Sequence, residues 1–330
     1  MKGSLTKIDN QTCALYRWED GSSFRQYVLS TPESRAICND PRVVGLQYTA
    51  NLRRACAGAL QALPNDLPYS MSESSTTVFH ILRGGLNFGL REALGDAYGW
   101  NKHPSAFISA QRARQTANPE EWYITENAYQ KVMLPEIGAI VFGDVVATGT
   151  SLNFALHRLL HLCAEEKKQI SSMLFLTIGG RRSTEILSEV DAFCRKQFPL
   201  YRGAAVVYLE GCFDVAQEHS KLSVMYTGTD LLRSNSVLPP EFIESQYEDP
   251  AYALERCTIY DAGSRAFHLP EYAEDVLDYW EKTLKLAKAG MTYEKLLRER
   301  FPELAAERFG KQDLTKLCER QLERLRGLLQ

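Results

Sequence analysis

Apolar and polar positions along this chain change period several times, and those changes mark out its elements. "ALYRWE" and "RQYVLS" alternate as short strands do, and "VGLQYTANLRRACAGALQAL" then repeats apolar residues at helical spacing. "PNDLPYSMSESS" breaks that rhythm and predicts a loop. From Thr76 onward the periods alternate. "TTVFHIL" predicts a strand, "GLREALGDAYG" a helix and "SAFISA" a strand, followed by a long polar loop near 112–131. A strand through Ile137, Ala139, Ile140, Val141 and Phe142 leads into the helix "LNFALHRLLHL", and "SMLFLTI" and "GAAVVYLE" complete the series. Short apolar runs separated by helices predict an α/β fold, a mainly parallel sheet with helices on both faces.

"VLPPEF" and "SQYEDP" mark a boundary near 237–250. Beyond it, "YAEDVLDYWEKTLKLAKAG" and "DLTKLCERQLERLRGLL" carry apolar residues every three or four positions, as amphipathic helices do. The expected organisation is an N-terminal α+β extension over 1–75, a core over 76–237 and a C-terminal helical region over 238–330. The last of these reads as a packing or dimerisation module, and a homodimer is expected.

Composition narrows the class. Apolar residues make up 45% and charged residues 24% of the 330, ordinary globular usage that excludes wholesale disorder. The net charge of −3, with Lys and Arg scattered, gives no nucleic-acid footprint. No apolar run approaches the ~18 residues of a membrane span, and "MKGSLTKIDNQT" lacks the apolar centre of a signal peptide. Eight dispersed cysteines without a C-x-x-C pair predict reduced thiols and a cytoplasmic protein.

The stretch that carries chemistry is "VFGDVVATGTS", from Val141 to Ser151. A buried strand ends on Asp144 and passes at once into a small, hydroxylated loop that opens a helix. Such a loop offers backbone N–H groups and the positive helix end to one anion, while Thr148, Thr150 and Ser151 add hydroxyls and Gly149 adds backbone freedom. A Walker loop needs a lysine that is absent here. A dinucleotide loop needs G-x-G-x-x-G and an acid ~20 residues later. Here the acid stands just ahead of the anion donors, as a single phosphorylated ribose requires.

On these residues the chain resembles the type I phosphoribosyltransferases, which bind 5-phosphoribosyl-1-pyrophosphate (PRPP). Their loop is an apolar strand, two acids, two variable residues and Ala-Thr-Gly-Gly/Thr-Thr/Ser. The resemblance implies that Val146, Ala147, Thr148, Gly149, Thr150 and Ser151 hold the 5′-phosphate and that Asp144 accepts from the ribose hydroxyls. The first acid of the family pattern is Gly143 here. "FHILRGGLNFG" (79–89) resembles the pyrophosphate-contacting turn, of the uracil-type members in particular. It implies roles for Arg83, Gly84 and Gly85, a guanidinium fork and two closely approachable amides. "SAQRARQTANPEEWYITENAYQKVMLP" (109–135) falls where the family has a closing lid, with Arg112 as the expected pyrophosphate contact and Tyr123, Tyr129 and Lys131 nearby.

"YLEGCFDVAQE" (208–218) and "YTGTDLLR" (226–233) occupy the interval where the family recognises its base, and Asp214 is the expected acceptor contact. "TIGGRRSTE" could add Arg181 or Arg182, or be a plain strand-to-helix turn. His157 and His161 have zinc-compatible spacing but no third ligand in sight, so a solvated or packed face is expected. The implied activity is Mg2+-dependent transfer of phosphoribose from PRPP to a small nitrogen heterocycle, the cation held mainly through PRPP. The alternative is a non-catalytic PRPP or nucleotide sensor on the same fold.

Overall fold

The computed structural model describes residues 3–8, 13–63, 67, 71–82, 84–114, 122–258 and 262–329. Three strands, β1 (Ser4–Ile8), β2 (Ala14–Glu19) and β3 (Arg25–Ser30), form an antiparallel meander, followed by α1 (Pro32–Asn39) and α2 (Gly45–Ala62). Then come β4 (Thr76–Leu82), a 3-10 turn over Gly84–Phe88, α3 (Leu90–Tyr98) and β5 (Ser105–Ser109). A hairpin of β6 (Gln111–Arg114) and β7 (Trp122–Glu126) precedes β8 (Gln130–Lys131), β9 (Ile137–Val146), α4 (Thr150–Glu165), β10 (Gln169–Gly180), α5 (Arg182–Gln197) and β11 (Ala204–Val215). The remainder is β12 (Asp230–Val237), α6 (Pro240–Ser245), α7 (Pro250–Leu254), β13 (Cys257–Thr258), α8 (Ala262–Phe267), α9 (Leu269–Lys288), α10 (Tyr293–Arg300) and α11 (Leu314–Arg326).

One 11-stranded sheet runs β1-β2-β3-β11-β10-β9-β4-β5-β8, with β12 on the far end of β11 and β13 on β12. Strands β3, β11, β10, β9, β4 and β5 are mutually parallel, so the fold is α/β with a mainly parallel mixed sheet. The first strands share this sheet, because β3 pairs with β11 from Arg25–Ala205 to Leu29–Leu209.

Alternation along the buried strands feeds two cores. Val141, Leu174 and Val207 point to the α2 and α3 face with Leu52, Leu60 and Leu94. Phe142, Phe175 and Val206 point to the α4 and α5 face with Leu156, Leu159 and Ile186. Phe142 and Phe175 stack with centroids 4.6 Å apart. Burying each such ring contributes about 1.5–3 kcal/mol. Consecutive residues thus serve opposite faces, as a sheet covered on both sides demands. The C-terminal helices have a separate core around Tyr279, Trp280, Leu296 and Leu317. Among the described residues, no helix is long and apolar enough to cross a membrane.

The polar stretch after β5, expected as a loop, contains the β6–β7 hairpin, in which Arg112 lies opposite Ile124 and Arg114 opposite Trp122. β-Branched and aromatic side chains in "WYITE" favour the extended form even though the segment is polar overall.

Candidate active site

The parallel strands deliver their C-terminal ends to one edge of the sheet, where ligands of open α/β folds bind. At that edge β9 is buried from Gly138 through Asp144, which is 8% exposed and lies opposite Thr177 of β10. The chain then turns through Ala147 and Thr148 to Gly149, whose φ of +73° makes it the left-handed cap of α4. Only glycine suits this position, since a Cβ would fall 2.4 Å from Ile186 Cδ1 and 2.9 Å from Arg182 Cγ. Thr148 and Thr150 approach each other, Oγ1 to Oγ1, at 3.2 Å.

Helix α4 has no side-chain cap and no acid in its first turn. As N-cap, Gly149 supplies no side-chain acceptor to the leading amides of the kind that Thr31 supplies to α1 and Asp313 to α11. An amide-lined, positive helix end of this sort favours an anion. Val146 to Ser151 thus run from the end of β9 through the 147–149 turn into the start of α4, with Asp144 on the strand that enters it.

The Gly84–Phe88 turn closes over the same strand end. A Cβ on Gly85 would lie 2.7 Å from the Gly143 carbonyl oxygen. A Cβ on Gly143 would lie 2.7 Å from Phe88 Cγ. Close packing brings Gly85 against β9 and leaves a side chain at 143 no room unless Phe88 shifts. Arg83 lies outside the described residues. The backbone of Arg112 is in β6, and its side chain lies outside what is described. His80 sits opposite Gly143 in β4, and burial pushes its imidazole down to about 4. It is therefore neutral at physiological pH and adds no charge beside the turn.

A cavity of about 430 Å³ opens between the β9–α4 turn, the β10–α5 turn and the segment joining β11 to β12. Thr148, Arg181, Arg182, Asp214, Gln217 and Gly228 are among the residues lining it. Asp214 is half-buried, and its Oδ1 accepts from the Val215 amide at 3.0 Å while its own amide donates to Ser236 Oγ at 2.7 Å. Arg182 is shared with Glu185 at 2.8 Å. The cavity thus joins Thr148 to Asp214 and to both arginines of "GGRRS". Gln217, Thr227 and Gly228 fall in the two stretches, 208–218 and 226–233, expected to lie in the base-recognition interval, but were not singled out, because no local signal says which side chains of the β11–β12 connection face the β9–α4 turn.

On the other side of Thr148 and Thr150, a wider cleft of about 640 Å³ runs under β7 along α4, and His157 and His161 line it. Both are exposed, and His157 Nδ1 pairs with the Asn153 carbonyl at 2.8 Å. Among the described residues no group of three His, Cys, Asp or Glu side chains is placed to hold a metal.

No protein-family model and no curated protein matches the chain. Solved structures with some likeness include a hypoxanthine-guanine phosphoribosyltransferase from Bacillus anthracis, 18% identical, with a TM-score of 0.25, covering 40% of this chain and 69% of that one. The Leishmania donovani enzyme of the same name is 15% identical, with a TM-score of 0.29 and coverage of 58% and 94%. A hypoxanthine phosphoribosyltransferase from Trypanosoma cruzi is 12% identical, with a TM-score of 0.24 and coverage of 61% and 85%. Likenesses this slight carry no argument about what the chain does.

Proposed function

We propose that this chain is a phosphoribosyltransferase that moves the 5-phosphoribosyl group of PRPP to a ring nitrogen of a nucleobase or related heterocycle, releasing pyrophosphate. The observation that carries this reading is the joining of Asp144, at the end of a buried strand, to a glycine-capped helix start without a side-chain cap. Phosphate and ribose are thereby addressed by one turn. The amides and hydroxyls of Thr148 to Ser151 would hold the 5′-phosphate, and Asp144 would accept from the ribose hydroxyls and favour positive charge developing at C1. Gly84 and Gly85 would let backbone approach the pyrophosphate, with Arg83 and Arg112 as its cationic contacts. The acceptor would enter the cavity at Asp214, whose carboxylate suits a ring N–H.

Little covalent chemistry falls to the protein in such a displacement. Its work is alignment, charge stabilisation and exclusion of water. The residues present fit a Mg2+ carried in on PRPP, because Gly143 leaves Asp144 as the single carboxylate of the loop and Mg2+ readily keeps its waters and substrate oxygens. When bound, that cation would neutralise pyrophosphate charge.

One observation favours a second reading. Phe88 fills the space beside Gly143, where the family pattern has an acid, so a sensor that binds PRPP without turning it over is the alternative. Calorimetric titration with PRPP and Mg2+, followed by pyrophosphate release over a panel of nucleobases, separates the two. Base-dependent release supports the transferase, and tight binding without release for any base supports the sensor. Absence of PRPP binding overturns both.

A further inference from the structure

We infer that the C-terminal helices buttress the 216–230 segment, one wall of the acceptor cavity, with Arg300 and Tyr226 as positioning residues that fix that segment. This rests on the transferase reading for its kinetic consequence, though not for its geometry.

The segment faces two ways. Toward the cavity it presents Gln217, Thr227 and Gly228. Its backbone is tied there by the Gly228 amide, which donates to the Ala216 carbonyl at 2.9 Å, and by the Ala216 amide, which donates to the Asp230 carbonyl at 2.9 Å. Away from the cavity, its anchors belong to the C-terminal region. The Ser223 amide and hydroxyl donate to Glu299 at 2.8 Å each. Val224 is buried in the core of the C-terminal helices. The Tyr226 hydroxyl donates to Asp278, and its ring lies 4.0 Å from the Arg256 guanidinium and 4.7 Å from Lys282 Nζ. Arg300 grips both oxygens of Asp230, at 2.6 and 2.9 Å, with both side chains buried.

The bond from Ala216 to Asp230 makes this arrangement consequential. Asp230 is the residue that Arg300 fixes, and its backbone in turn fixes Ala216, next to Gln217 at the cavity wall. A buried ion pair is weak evidence for stability, but a two-point fork admits one orientation of its partner and so sets position. An acceptor held between Asp214 and this segment would feel any slip of it. PRPP, held by the β9–α4 turn, would not.

Two variants test this in the full-length protein. Arg300→Lys keeps the charge and loses the fork, and Tyr226→Phe removes one hydroxyl at a half-exposed position where folding is safe. The expected result is an acceptor KM raised about tenfold in the first and about threefold in the second, in line with losing one charge-assisted or one ordinary hydrogen bond. PRPP affinity by calorimetry should stay within about twofold, since distant sites with no shared partner act independently. Amide exchange should quicken over 216–230 and stay unchanged over 145–155. Acceptor KM and PRPP affinity moving together, or neither moving while exchange over 216–230 stays at its wild-type rate, would overturn the inference. If no acceptor is turned over at all, the transferase reading fails and exchange alone decides. Quickening confined to 216–230 then sustains the positioning role, and unchanged exchange sinks it.

Discussion

Gly143 and Phe88 meet face to face at the end of the sheet, close enough that a Cβ on Gly143 would stand 2.7 Å from the Phe88 ring. The glycine that replaces the first acid of the family pattern is thus a packing partner of the neighbouring turn. Gly143→Asp is therefore expected to cost stability by overpacking, about 1–3 kcal/mol, without raising turnover. Denaturant unfolding checks this. A Gly143→Asp variant as stable as the parent would mean that Phe88 moves aside freely, and that the missing acid has another origin.

Asp144 is nearly buried at the mouth of the β9–α4 turn. Asp144→Asn preserves shape and removes charge, so the fold should persist while turnover drops roughly 10- to 150-fold, the range of a hydrogen bond to a charged group. Thr148→Val should instead weaken PRPP binding, because one hydroxyl donor to the phosphate is lost. Pyrophosphate release and calorimetry read the two effects separately. Wild-type behaviour in both variants would remove the loop from the mechanism.

The contrast between these positions shows how far the chain could be read directly. The β9–α4 unit was legible because strand, acid, small loop and helix are contiguous, and each leaves a local signature in period and residue type. Strands β2, β3, β4, β5, β10 and β11 were legible for the same reason. Where β3 docks was not, since its pairing with β11 joins residues as distant as Leu29 and Leu209. The β6–β7 hairpin stayed hidden because polar residues on both faces blur the two-residue period. Phe88 against Gly143, and the grip of Arg300 on Asp230, depend on which elements become neighbours, and no spacing within either segment encodes that. Asp214 was named from its interval and its charge, whereas Gln217 and Gly228, in the same two intervals and the same cavity, have no residue type that singles them out.

Gly149 caps α4 in the left-handed region and has Ile186 and Arg182 against it. Gly149→Ala meets both obstacles. The backbone conformation alone costs about 1–2 kcal/mol for a residue with a Cβ, and the crowding adds to it. The loop is expected to shift so that PRPP affinity falls by at least about tenfold, the equivalent of ~1.4 kcal/mol. Unchanged affinity by calorimetry would show that the turn tolerates another shape, and would argue against its amides as the phosphate site.

Glu210 is fully buried under the start of α1, where its carboxylate accepts from Ser30 Oγ at 2.7 Å, the Thr31 amide at 3.1 Å and Ser34 Oγ. These donors favour the charged form, yet burial outweighs them and pushes the group up to about 7. The folded protein then holds a proton that the unfolded chain has released by about pH 5. Stability from this group is full below the unfolded value and declines as pH rises from about 4.5 through about 7, because the native state binds more protons over that window. Glu255, also buried and also raised to about 7, acts in the same direction. Glu210→Gln removes the titration while keeping acceptor and shape. The parent's stability relative to this variant should therefore fall between about pH 5 and about pH 8, by a few kcal/mol at most, since each tenfold change in proton affinity between the folded and unfolded chain is worth ~1.4 kcal/mol. Denaturant unfolding at those two pH values measures it. A difference that grows with pH would mean that Glu210 is charged in the folded protein and that its three donors, rather than its burial, decide its state.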